Sequence, residues 1–128
     1  MSALTPEQIS AIDAAHVWHP YSAFGAEVTA PVVAVAADGV WLTVISDGAP
    51  IRVIDAMASW WTAIHGHGHP ELDAALSRQL QLMNHVMFGG LTHEPAARLA
   101  ALLVDITPVG LDTVFFSDSG SVGVEVAV

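Results

Sequence analysis

The sequence predicts an α/β architecture in which a small antiparallel β lobe precedes the start of a doubly wound domain. Between Pro31 and Asp55, β-branched and apolar runs are punctuated by Asp38-Gly39 and Asp47-Gly48, dipeptides that supply positive φ in tight hairpins. From His69 to Ile106, apolar residues recur at helical spacing in two segments, each with a proline in its first turn. Thr113-Val114-Phe115-Phe116 is a short continuous apolar run of the kind buried on both faces of a parallel sheet, and Asp118-Ser119-Gly120-Ser121 follows at once. A helix, a strand and a small-residue turn that opens another helix form the beginning of a doubly wound domain.

Each element has its own signal. Thr5-Pro6-Glu7-Gln8 opens a helix, with Thr5 at the N-cap, Pro6 at the first position and Gln8 completing a capping box. Ile9 and Ile12 are expected to face inward, and the helix to end near Trp18 because His19 precedes Pro20. An aromatic, polar loop from Trp18 to Phe24 follows. Strands are expected at about 32–37, 40–46 and 51–55, a meander too small to stand without packing on something else. His69-Pro70-Glu71 starts the next helix, where Glu71 and Asp73 complement the dipole and Leu72, Leu76, Leu80 and Met83 make an apolar stripe. Phe88-Gly89-Gly90 breaks the pattern before a helix with Pro95 in its first turn and Leu99, Leu102, Leu103 and Ile106 on one face, closed by Pro108 and Gly110. Residues 1–55 read as the small lobe and 56–128 as the opening of a larger domain.

Composition narrows the function. The 128 residues include 13 Asp and Glu against 3 Lys and Arg, a formal charge of −10, and Arg52, Arg78 and Arg98 are isolated from one another. Nucleic acid and anionic membranes are therefore poor partners. The absence of cysteine excludes a disulfide scaffold, a thiol nucleophile and thiolate metal sites. The lack of cysteine also fits a reducing compartment, so a cytoplasmic address is expected; no apolar run approaches the roughly 20 residues of a membrane span, and Glu7 and Asp13 do not fit a signal peptide. Charged residues make up only 12% of the chain and apolar residues 53%, which suggests surfaces meant to face other protein. Ser121 to Val128 supplies about two helical turns with no terminating Gly or Pro, so the chain is expected to be a piece of something larger.

Four groups of residues could carry chemistry. Ser119-Gly120-Ser121 at a helix start can hold a phosphate on outward-pointing amides, or serve as an ordinary N-cap turn. Trp60-Trp61 with Tyr21 offers broad aromatic faces for stacking or for an interface, and if the segment is extended the two indoles point to opposite sides. His65, His67 and His69 alternate with Gly66 and Gly68; a Gly-rich turn is favoured over a metal site, because ligands must converge on one point. Asp55 either orients a neighbour or does the turn chemistry usual at a strand end.

Read together, Trp18-His19-Pro20-Tyr21-Ser22, Ser59-Trp60-Trp61, His65 to Pro70, Asn84 to Gly90 and Asp118 to Val122 resemble the class III pyridoxal-phosphate aminotransferases. Within them, the paired tryptophans and the preceding tyrosine loop resemble the branch that makes 7,8-diaminononanoate in biotin synthesis. The resemblance covers the N-terminal portion of that family. It implies part of a type I pyridoxal-phosphate fold, a homodimer with its active site at the interface, and amino transfer from S-adenosylmethionine to 8-amino-7-oxononanoate. It also implies that Gly120 and Ser121 bind the cofactor phosphate, that Tyr21, Trp60 and Trp61 line the substrate pocket, and that Met87 and Gly89 reach the partner subunit's site.

Two departures stand out. Asp55-Ala56-Met57-Ala58-Ser59 replaces a similar family segment with substitutions that stay small, and the effect is expected to be local. The chain also has no lysine, the residue that anchors the cofactor and shuttles the proton, so no catalytic residue is assigned and the chain alone is expected not to transaminate. The competing reading is a small acidic binding module that uses Tyr21, Trp60 and Trp61 without chemistry.

Overall fold

The computed structural model describes residues 3–23 and 31–128, so the Phe24 end of the aromatic loop lies outside the described residues. The chain divides into two compact units, Met1–Arg78 and Gln79–Val128.

The first unit opens with helix α1 (Pro6–His16), closed at its N-terminus by the expected capping box. Thr5 Oγ1 accepts from the Gln8 amide at 3.3 Å and Gln8 Oε1 accepts from the Thr5 amide at 2.9 Å. The helix stops at His16, earlier than expected, because Val17 is already extended at φ −108° and ψ 124°. Ile9 and Ile12 were expected to face inward but stay exposed, since little of the unit packs over α1.

Strands β1 (Val33–Asp38), β2 (Trp41–Ser46) and β3 (Ala49–Ile54) form the antiparallel meander in the order β1-β2-β3. At the second turn Asp47 (φ 50°) and Gly48 (φ 76°) are both left-handed, as a tight Asp-Gly turn requires. Ser46 therefore pairs directly with Ala49, and β3 begins earlier than the expected residue 51. At the first turn Asp38 pairs with Trp41, so the loop is Gly39-Val40 rather than Asp38-Gly39. A register shift between Ala34 and Ala36 bulges β1, and on β2–β3 the Arg52 guanidinium stands 4.6 Å from the centre of the Trp41 ring. Val44, on the central strand, is the buried hydrophobic residue of this unit among the described residues.

The chain then makes a one-turn helix α2 (Ala58–Trp61) and helix α3 (Pro70–Leu82), within which the division between the units falls. Between them, His67 exchanges both backbone hydrogen bonds with Gly39, at 2.8 and 2.9 Å, and this bridge fastens the segment after β3 to the first hairpin. Gly66 is required beside it: its φ is 82°, and a Cβ there would stand 3.1 Å from the Gly39 oxygen. Leu72, Leu76 and Leu80 lie along α3 as predicted but are exposed.

The second unit carries α4 (Glu94–Ile106) and α5 (Gly120–Ala127). His93 caps α4, its Nδ1 accepting from the Ala96 amide at 3.3 Å, and Ala96 is the buried apolar residue of this unit among the described residues. Residues 113–116 do not form the expected strand. A strand exists only where a neighbour takes its hydrogen bonds, and among the described residues this segment has none. Phe116 is instead held by its ring, stacked on Phe88 at 5.9 Å, while Phe88 stacks on His93 at 5.3 Å.

Candidate active site

Two left-handed stretches of backbone in the first unit bring the predicted aromatic residues together. The first is the loop after α1. Trp18 Nε1 donates to the Ser22 carbonyl at 2.8 Å, Ser22 Oγ donates to the His19 carbonyl at 2.7 Å, and His19 Nε2 lies 2.7 Å from Asp13 Oδ2. These bonds close a tight turn in which Tyr21 takes a φ of 59° and is exposed.

The second is α2. Ala58, Ser59, Trp60 and Trp61 have φ values of 46°, 48°, 57° and 67°, so α2 is a single left-handed helical turn. The segment is thus not extended, and the expected alternation of the two indoles does not apply. Left-handed backbone costs an L-residue roughly 1–2 kcal/mol, and four in succession require a counterweight. Tyr21 and Trp60 meet edge to face, with ring centroids 5.8 Å apart and planes at 77°. Trp61 is more exposed than Trp60 and has no ring contact among the described residues.

The counterweight is Asp55, at the end of the meander. Its Oδ1 accepts from the Ser59 amide at 2.9 Å, and its Oδ2 accepts from Ser59 Oγ at 2.7 Å and lies 2.9 Å from His67 Nε2. The Asp55 side chain is only 9% exposed. The Ser59 hydroxyl, the Ser59 amide and then His67 hold its pKa down at about 2. A strand-end Asp followed at the fourth residue by Ser, with a His in the next Gly-rich turn, was the visible signal for this network. Turn chemistry captures only its local half.

The histidines do not converge. His67 turns to Asp55 while His65 and His69 meet edge to face at 5.9 Å, and no group of three or more His, Cys, Asp and Glu among the described residues is placed to hold a metal.

In the second unit, Met87 and Gly89 lie on the glycine-rich loop before α4, and the Met87 sulfur would sit 3.7 Å from a Cβ at Gly89. At α5, Ser119 caps the helix by accepting from the Val122 amide at 3.3 Å. The amides of Gly120 and Ser121 are left with no partner inside the helix, and apart from the helix's own backbone and the adjoining residues nothing among the described residues lies within 4 Å of where a Gly120 Cβ would stand. Two helix amides without an intrahelical partner are the kind of donors that fit a phosphate group.

The chain as a whole is similar to known proteins. The family model for class-III aminotransferases matches residues 22–128. Over 99% of its length the chain is 77% identical to adenosylmethionine-8-amino-7-oxononanoate aminotransferase of Mycobacterium leprae, of which it covers 30%. The crystal structure of the Methanocaldococcus jannaschii protein of that name superposes with a TM-score of 0.82 at 31% identity, over 94% of this chain and 27% of that one. Taurine:2-oxoglutarate aminotransferase of Bifidobacterium kashiwanohense, solved with PLP and glutamate, gives a TM-score of 0.67 at 28% identity, over 83% of this chain and 22% of that one. The chain thus spans under a third of the length of these relatives, and its helices and three-stranded sheet are part of a type I pyridoxal-phosphate fold. On this match of sequence and backbone, the chain belongs to the class-III aminotransferase family.

Proposed function

We propose that the chain is part of a longer pyridoxal-phosphate aminotransferase that moves an amino group from S-adenosylmethionine to 8-amino-7-oxononanoate, giving 7,8-diaminononanoate for biotin synthesis. One observation carries the reading: the Tyr21–Trp60 pair, set on two left-handed segments, belongs to a chain that is 77% identical to a relative of that name. Pyridoxal phosphate, the cofactor of the family, would supply the electron sink for amino transfer when bound. Gly120 and Ser121 hold its phosphate through their unpaired amides and the Ser121 hydroxyl.

Tyr21 and Trp60 form an aromatic wall that orients the substrates and keeps water from one side of them, with Trp61 beside it. Met87 and Gly89 contribute to the site of a partner subunit in a homodimer. Because the chain has no lysine, the amine that anchors the cofactor and moves the proton comes from outside these 128 residues. Residues 1–55 belong to the small lobe and 56–128 open the cofactor domain. A cytoplasmic location accords with the metabolic role, and no helix among the described residues is long and apolar enough to cross a membrane.

The test is made on the full-length protein. Incubation with pyridoxal phosphate, S-adenosylmethionine and 8-amino-7-oxononanoate should yield 7,8-diaminononanoate by mass spectrometry, and the 128-residue chain alone should yield none. Cofactor binding without product from any amino donor would overturn the assignment.

A further inference from the structure

We propose that Asp55 is a positioning residue for the aromatic wall, its carboxylate clamping Ser59 and His67 so that the left-handed turn holds Trp60 against Tyr21. What the wall faces rests on the aminotransferase reading; the clamp itself rests on geometry.

The left-handed turn is not held by packing of its own rings. Trp60 is 54% exposed and Trp61 79%, so burial of indole does little to offset four residues of unfavourable backbone. The backbone bonds of the turn, Ala58 to Asp55, Trp61 to Met57 and Ala63 to Ala58, favour compactness without choosing its hand. The side-chain bonds that single out this conformation among the described residues all end on Asp55. Ser59 gives it both an amide and a hydroxyl, which requires the Ser59 side chain and backbone to point the same way.

The clamp is also anchored at its base. The Asp55 amide donates to the Val40 carbonyl at 2.9 Å, and His67 is fixed to Gly39 through its backbone while its ring meets Asp55 Oδ2. Both ends therefore run to the Gly39-Val40 turn of the first hairpin, and the position of Trp60 is referred to the sheet rather than to a free loop. Strained backbone supported by a nearly buried, fully bonded carboxylate and ending in exposed rings is the arrangement expected where a surface must be preorganised for a ligand.

Asp55→Ala removes all three bonds. Asp55→Asn keeps an acceptor for the Ser59 amide and a group that the Ser59 hydroxyl and the other His67 tautomer can meet. In the full-length protein loaded with pyridoxal phosphate, Asp55→Ala should raise KM for 8-amino-7-oxononanoate about tenfold while kcat changes less than about threefold, and Asp55→Asn should stay within about threefold of wild type on both. The absorbance spectrum of bound cofactor should be unchanged in both variants.

A second readout does not need the reaction: in protein labelled with 5-fluorotryptophan, the Trp60 and Trp61 resonances, assigned by Phe substitution, should shift in Asp55→Ala and not in Asp55→Asn. Unmoved resonances in Asp55→Ala, or an equal rise in KM with equal falls in kcat and thermal midpoint in both variants, would overturn the clamp. Absence of transamination in the wild type would remove the aminotransferase reading and leave the fluorine spectra to decide the clamp.

Discussion

Substituting glycine for Ala58 should stabilise the protein, although a shortened side chain within a folded segment ordinarily weakens it. Ala58 has a φ of 46°, in a region that costs an L-residue about 1–2 kcal/mol and glycine almost nothing. Against that relief stand about 0.4–1 kcal/mol for the greater freedom of glycine in the unfolded chain and about 0.3 kcal/mol for a half-buried methyl group. The balance is about 0.5 kcal/mol in favour of Ala58→Gly, a rise of about 1–2 °C in the thermal midpoint. Ser59→Gly supplies the control, because at φ 48° it gains the same relief but loses the hydroxyl bond to Asp55. It should melt below Ala58→Gly and below wild type. Differential scanning calorimetry of the full-length variants reads both midpoints. A fall in the midpoint of Ala58→Gly would mean that the left-handed backbone carries no cost here, and the account of α2 as a strained turn would fail.

Gly66→Ala should lower the thermal midpoint by several degrees, since the added methyl would meet the Gly39 carbonyl at 3.1 Å and sit at a φ of 82°, together costing about 1–3 kcal/mol. Trp60→Ala in the full-length enzyme should weaken substrate handling while leaving the cofactor bound, seen as a raised KM with an unchanged cofactor spectrum; normal substrate kinetics would remove Trp60 from the pocket. Ser121→Ala should weaken cofactor retention severalfold, measured by equilibrium dialysis against pyridoxal phosphate, and unchanged affinity would return the α5 turn to a plain N-cap. The Asp55 clamp also predicts a pH dependence. Because folding lowers the carboxyl from 3.8 to about 2, its stabilisation is fully present above 3.8 and disappears as the pH falls through about 2. The stability difference between wild type and Asp55→Asn, from urea denaturation, should therefore shrink as the pH falls below 4.

Much of the fold was legible because its signals are local. The Thr5–Gln8 capping box, the Asp47-Gly48 turn and the start of α3 at Pro70 each follow from a few residues whose backbone preferences agree with the structure. The expected strand at 113–116 failed for the complementary reason. An apolar run states that a segment is to be covered, and strand geometry appears only when a neighbour supplies the ladder. The exposed stripe of Leu72, Leu76 and Leu80 teaches the same thing: periodicity marks a face without saying what lies on it. His93 as the cap of α4 was missed because the residues that signal an N-cap are Ser, Thr, Asp and Asn, and an imidazole nitrogen does the same work only when its ring is turned to the amide.

The candidate site was legible as a set of residue types and illegible as a conformation, and the difference is physical. Tyr21, Trp60 and Trp61 draw attention by their chemistry, but no propensity favours an L-residue in left-handed backbone, least of all two tryptophans in a row. Local preference and observed structure disagree at Tyr21 and at Ala58 to Trp61, and elsewhere among the described residues they disagree at only one non-glycine position, Asp47 in its hairpin turn. Asp tolerates that geometry and the turn explains it. Of the remaining five, Tyr21, Trp60 and Trp61 are residues that the family resemblance assigns to substrate, and Ala58 and Ser59 lead into the two tryptophans. Since strain persists only where surrounding bonds over-determine it, the bonds converging on Asp55 explain how the turn is maintained, and the exposed pair of rings explains what maintaining it achieves.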